Sequence, residues 1–265
     1  MENFKKYIFE YLLLLIVILL SIAGFWNIYF GVDANPTRYQ TLHVITSLIW
    51  LSLLLYQLSL IGKKRYLIHR KIGLSILFFA PLLVATTALL SVHSAHKGLV
   101  SGQGDALLVQ NVMGTLELGF IILLAFILKK RRKLHGAFLL STSILFMGIA
   151  LFFTLIAFVP QFKIEGPETF HRFADAGATS GLICLIIGLL FFLKDWRNGW
   201  TILLVSSFLT LNAFFNMFLI KHNLIQPLTE FVGSLNPLIT FLGSFIVLSI
   251  LLTFTVIPNK THAAN

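Results

Sequence analysis

Long apolar runs separated by short polar stretches organise the whole chain. Eight are visible, at approximately 7–30, 39–61, 69–92, 108–128, 135–159, 171–193, 199–220 and 235–257. Each is near the length of about 20 residues that a helix rising 1.5 Å per residue needs to cross the hydrocarbon layer. Backbone groups inside lipid must pair within their own segment, so runs of this length predict helices. The pattern predicts an all-α, polytopic membrane helix bundle of about eight transmembrane helices, forming one domain over residues 1–265. Its core bundle is expected at about 39–159, with additional helices at 7–30 and 171–257. The longest connections, 93–107, 160–170 and 221–234, are too short for a further domain, and the last has room for a short interfacial helix. Pro81 predicts a kink in the third run. Gly177 and Gly181 have the small-xxx-small spacing that lets helices approach closely.

Composition agrees with this pattern. The chain is 57% hydrophobic and 11% charged, whereas soluble domains carry about 25% charged residues, which excludes an ordinary soluble globule. A single cysteine, Cys184, lies inside an apolar run, so a disulfide framework and a Cys-based metal centre are excluded too. Lys5 and Lys6 precede the first run as they would a secretory signal. That run exceeds the about 7–15 residues of a signal core, however, and is expected to be a retained helix.

The net charge of +10 is explained by where the cations sit. Under the alternating topology, one side of the membrane holds Lys5, Lys6, Lys63, Lys64, Arg65, Arg70, Lys71, Lys129, Lys130, Arg131, Arg132, Lys133, Lys194, Arg197 and Lys260. The other side holds Arg38, Lys97, Lys163, Arg172 and Lys221. Cytoplasmic loops collect Lys and Arg, so both termini are expected to be cytoplasmic (N-in and C-in). The basic balance then serves topology and attraction to anionic lipid headgroups, with no nucleic-acid partner required.

Polar residues placed where polarity is costly are the candidates for chemistry. His69 and His135 open the third and fifth runs on the basic side. On the other side lie His43 in the second run, His93 and His96 just past the third, His171 at the start of the sixth, and His222 just past the seventh; His262 belongs to the polar tail. Twenty-four residues separate His69 from His93, roughly 36 Å of helix, so the two groups belong to different sites. Glu117 falls near the middle of the fourth run, and an intramembrane carboxylate is a functional candidate by default. Its candidate partners are Gln57, Asn111 and Asn212. Asn212 and Asn216 share one helical face.

The fragment "LIHRKIGL" resembles a signature of an uncharacterised bacterial family of multi-pass membrane proteins, a domain of unknown function. The family pattern has a His, then an aromatic and a Gln, a basic turn, a His-Arg-x-x-Gly helix start, and a further His after a later basic loop. The matching positions are His43, Trp50, Gln57, the "KKR" turn, His69, Arg70, Gly73 and His135. They span roughly residues 40–160, and the segment "HGAF" departs from the pattern, which has a basic residue after that last histidine. The resemblance implies a bacterial cytoplasmic (inner) membrane protein but no activity.

The layout is also similar to that of diheme b-type cytochromes, in which facing histidines hold haem. That similarity implies a b-haem-binding redox or electron-transfer protein. His69 and His135 are then axial ligands, Arg70 a propionate contact, and Gln57 and Glu117 parts of a quinone or proton pathway. An alternative is an outward-facing metal-dependent enzyme, with a transition metal held by His43, His93, His171 and Asp175. Imidazole and carboxylate suit such ions, and positions 171 and 175 share a helical face. A third reading, a carrier for a small molecule or lipid, rests on the helix count and Glu117.

Overall fold

Every apolar run is helical in the computed structural model, which describes residues 5–32, 34–102, 105 and 107–256. In chain order the helices are α1 (Ile8–Gly24), α2 (Trp26–Tyr29), α3 (Arg38–Gly62), α4 (Tyr66–Gly73), α5 (Ile76–Ser101) and α6 (Leu108–Ile127). They are followed by α7 (Arg132–Phe158), α8 (Arg172–Lys194), α9 (Trp200–Lys221), α10 (Ile225–Ser234) and α11 (Pro237–Val256). Among the described residues seven helices are long and apolar enough to cross a membrane: α3, α5, α6, α7, α8, α9 and α11. The expected interfacial segment carries the ten-residue α10.

Two boundaries differ from the sequence reading. The first run is not one 24-residue helix, because α1 stops after 17 residues and the chain turns at Phe25 (φ −95°, ψ 9°) into the single turn of α2. The third run is displaced toward the C-terminus. His69 does not open the long helix but sits on the separate α4, and α5 continues past Val92 to Ser101. His93 and His96 therefore lie within α5 and not beyond it. Pro81 sits inside α5, while the change of helix comes earlier, at Leu74 and Ser75.

Contacts between helix ends support the alternation of faces. Lys194, ending α8, pairs with Glu10 at the start of α1 at 2.8 Å. The Lys129 ammonium, just past α6, donates to the Thr255 carbonyl near the end of α11. These ends share one side, the basic face. At the opposite face α10 packs on the last turns of α5, with Gly233 against Ala95 and Leu99. Lys260 and His262 lie outside the described residues.

α5 and α7 form the centre of the bundle: 61% of the most apolar stretch of each is buried, against 11% for α11. α3, α6, α10 and α11 pack on α5, and α1, α6, α8 and α9 pack on α7. Close approach occurs at glycines other than the expected pair. A Cβ on Gly177 would meet nothing and one on Gly181 would make only ordinary contact with Thr210, whereas Cβ atoms on Gly24, Gly148 and Gly188 would overlap Ala150, Leu209 and Ser206. Trp50 is fully buried and donates from Nε1 to Thr142 Oγ1 at 2.9 Å, tying α3 to α7. Cys184 is fully buried in α8.

Candidate functional site

A cavity of about 200 Å³ lies between α1–α2, α3, α5, α6 and α7, toward the face opposite the basic clusters. The start of α3 sets one wall. Thr37 and Gln40 form a capping box, in which Gln40 N donates to Thr37 Oγ1 while Thr37 N and Thr37 Oγ1 donate to Gln40 Oε1 at 2.8 and 3.0 Å. This reciprocal pairing fixes the first turn of the helix. His43 follows on the same helix, its Nδ1 at 3.5 Å from Thr87 Oγ1 and its Nε2 at 3.5 Å from Ser47 Oγ. Both hydroxyls give their protons to backbone carbonyls, those of Leu83 and His43 itself. They therefore present lone pairs to the ring.

The other walls bring Phe25 and Tyr29 from the α1–α2 segment, Gln110, Asn111 and Gly114 from α6, and Phe146 and Phe153 from α7. No Lys, Arg, Asp or Glu lines the cavity. Tyr29 Oη is buried without a partner at hydrogen-bond distance; the nearby Thr41 hydroxyl donates to the Thr37 carbonyl. The Asn111 carboxamide makes no hydrogen bond with a described residue.

Glu117 lies two turns along α6 from Gln110, on the same side of the helix. It is buried, and its partner among the three candidates is Asn212 of α9. Asn212 Nδ2 lies 3.3 Å from Glu117 Oε2 and 3.4 Å from Gln110 Oε1. One amide thus links the mid-membrane carboxylate to the cavity wall. Asn111 lines the cavity, Gln57 is on the basic side of α3, and Asn216 is half-buried.

At the basic face His135 lies close enough to His69 for its charge to act on the His69 ring. The buried Gln57 carboxamide donates its NH2 to His69 Nδ1 and to the His69 carbonyl, and its oxygen accepts from Gly73 N at 3.0 Å. This arrangement puts the His69 proton on Nε2. His135 is arranged oppositely: its Nδ1 donates to the Ala125 carbonyl at 2.8 Å, which leaves the Nε2 lone pair free. Such an Nδ1–H to carbonyl bond is the usual support for a metal-ligating histidine. His135 therefore fits the expectation of a haem ligand, and His69, as held by Gln57, does not. Arg70 is exposed on α4.

His69 lies outside the seven spans, and its pKa is held below the usual imidazole range. Burial is the main cause and the charge of His135 the next, while a hydrogen bond to the Gln57 backbone acts the other way. With the folded pKa below the unfolded one, the unfolded chain takes up the proton first as pH falls. The support His69 gives the fold is therefore complete above the unfolded value of about 6.5 and is lost as pH drops through the folded value. Between about pH 7 and 5 the thermal midpoint of the wild type is expected to fall more steeply than that of His69→Asn. Parallel curves would remove His69 from the acid response.

The residues expected to hold a metal do not assemble. Among the described residues no group of three or more His, Cys, Asp or Glu is placed to hold an ion. His43 faces the cavity, and His93 packs against Tyr39 with ring centroids 4.6 Å apart. His171 is exposed with Nδ1 on the Glu168 carbonyl, and Asp175 is exposed. The sequence reading missed Tyr29, Gln40, Gln110 and Gly114 as site residues. The available signal was on α6, where Gln110, Gly114 and Glu117 recur at helical spacing as small or polar residues on an apolar helix. No family model, curated protein or solved structure matches the chain.

Proposed function

We propose that the protein is a small-molecule carrier of the bacterial cytoplasmic membrane, with the cavity beside His43 and Asn111 as its binding site. The observation that carries this reading is a largely apolar cavity carrying a few polar side chains and joined through Gln110 and Asn212 to the buried Glu117 carboxylate. Buried polar groups inside lipid are costly and mark substrate paths. The excess of Lys and Arg on the basic face supports cytoplasmic termini. With α1 and α2 together taken as the eighth crossing, the cavity then opens toward the outer leaflet. Glu117 and Asn212 form the deeper part of the path.

Gly114 provides the test. A side chain there would meet only Gln110 Nε2, at 3.8 Å, so a larger residue enters the cavity without backbone collision. Uncharged one-ring compounds such as phenol, toluene and durene are expected to raise the thermal midpoint of the detergent-purified wild type. They are expected to leave Gly114→Leu unchanged, although that variant folds and, by filling the void and removing a helical glycine, is at least as stable. If no compound acts, or if the rise survives in Gly114→Leu, the reading fails.

A second reading, a b-type haem at the basic face with a quinone or another redox partner, is favoured by the His135 geometry. It requires His69 to give up its contact with Gln57. Protein purified from haem-replete cells is then expected to show a Soret band that is absent in His135→Ala. A colourless preparation rules this reading out.

A further inference from the structure

The hydrogen-bonding capacity left open around the cavity is lopsided. The Gln40 oxygen is occupied by Thr37, and the Gln110 oxygen by Asn212. What remains are four donor groups, namely the Tyr29 hydroxyl and the NH2 groups of Gln40, Gln110 and Asn111. Against them stands a single uncommitted carboxamide oxygen, that of Asn111, while the Ser94 hydroxyl can donate or accept. His43 adds one ring N–H held only by contacts at 3.5 Å. A site rich in donors selects a ligand rich in acceptors. With no Lys or Arg in the lining, that ligand is not an anion, whose charge would be buried without a counterion. The size is restrictive as well, because about 200 Å³ lies below the roughly 300–1,000 Å³ that holds a drug-sized molecule. One ring with small substituents fits, and the remaining walls, Phe25, Phe146 and Phe153 among them, suit a flat apolar body.

We infer that the cavity binds the head of a quinone: a neutral ring with a carbonyl at each end, one facing Tyr29 and His43 and the other facing Gln110 and Asn111. A membrane-dissolved quinone reaches an intramembrane site from the lipid, which suits a site within the spans. This inference deepens the reading of the cavity as the binding site and rests on it.

The test uses two probes of nearly the same shape, duroquinone and durene, which differ in the two carbonyl oxygens. Binding to the full-length detergent-purified protein is measured by calorimetry. Duroquinone is expected to bind about tenfold more tightly than durene, the factor that one to two net hydrogen bonds supply. Asn111→Leu and Tyr29→Phe are each expected to reduce this preference severalfold while durene binding persists, which also shows that the variants are folded. Equal affinity for the two probes overturns the quinone assignment and spares the cavity as a site. A duroquinone preference that both variants retain overturns the assignment as well, because the carbonyls are then recognised elsewhere. If neither probe binds, the cavity reading falls together with it.

Discussion

Trp50→Ala is expected to destabilise the bundle by about 3 kcal/mol, measured by titrating the micelle-embedded protein with a denaturing detergent. The value is the low end of the about 3–5 kcal/mol seen for Phe or Trp to Ala in water-soluble cores. Lipid is as apolar as the core, so the part of that cost due to transfer from water diminishes, while the lost packing and the void remain. Trp50 is fully buried and its indole N–H is held by Thr142 Oγ1, whose own proton goes to the Leu139 carbonyl at 2.7 Å. Truncation therefore removes the largest fully buried side chain and a tie between α3 and α7 together. Thr142→Val isolates the polar part. It keeps the volume and leaves the indole N–H unsatisfied, for an expected cost of about 1 kcal/mol. A Trp50→Ala loss no larger than that of Thr142→Val would mean that the packing around Trp50 contributes nothing.

Gly24→Leu is expected to be as damaging and to remove the binding site as well. A Cβ at Gly24 would overlap the Ala150 carbonyl oxygen and crowd Thr154 Oγ1 at 3.1 Å. The first of these atoms belongs to the backbone of α7 and cannot move aside as a flexible side chain would. Separation of α1 from α7 is the remaining response, at a cost of about 3 kcal/mol, the upper part of the usual range for overpacking. Phe25, Ile28 and Tyr29 follow directly and line the cavity, so ligand-induced stabilisation is expected to disappear in the fraction that still folds. Gly177→Ala is the matched control. Nothing lies within 4 Å of a Cβ there, so the substitution is expected to be neutral or to stabilise by up to about 1 kcal/mol through helix propensity. Equal losses at the two glycines would contradict the close contact of α1 with α7.

Seven of the eight runs were legible because spacing of apolar residues is a direct physical requirement of crossing lipid. The first was harder. Its residues remain mostly apolar through Phe30, and what ends α1 is the turn at Phe25 beside Gly24, where the chain lies against α7. The shift of the third run has another cause. Hydropathy drops at His93, yet α5 continues, because Ala95 and Leu99 pack against α10 and extend the helix through polar residues.

At the sites, Glu117 with Asn212, and His69 with Gln57, were readable as polar residues at costly depths. The cavity was not readable in the same way. It depends on Tyr29, Gln40, His43 and Asn111 converging from three segments, and on oxygens already occupied by neighbours, which no linear spacing encodes. The metal reading failed to assemble for the same reason in reverse, since His171 and Asp175 share a helical face that turns outward.

The fully buried position of Cys184 also makes the molecule its own reporter. A membrane-permeant maleimide cannot reach that sulfur while α8 is seated, so its rate of alkylation counts transient openings of the helix assembly. As the chain holds one thiol, the signal needs no engineered label and is free of background from other positions.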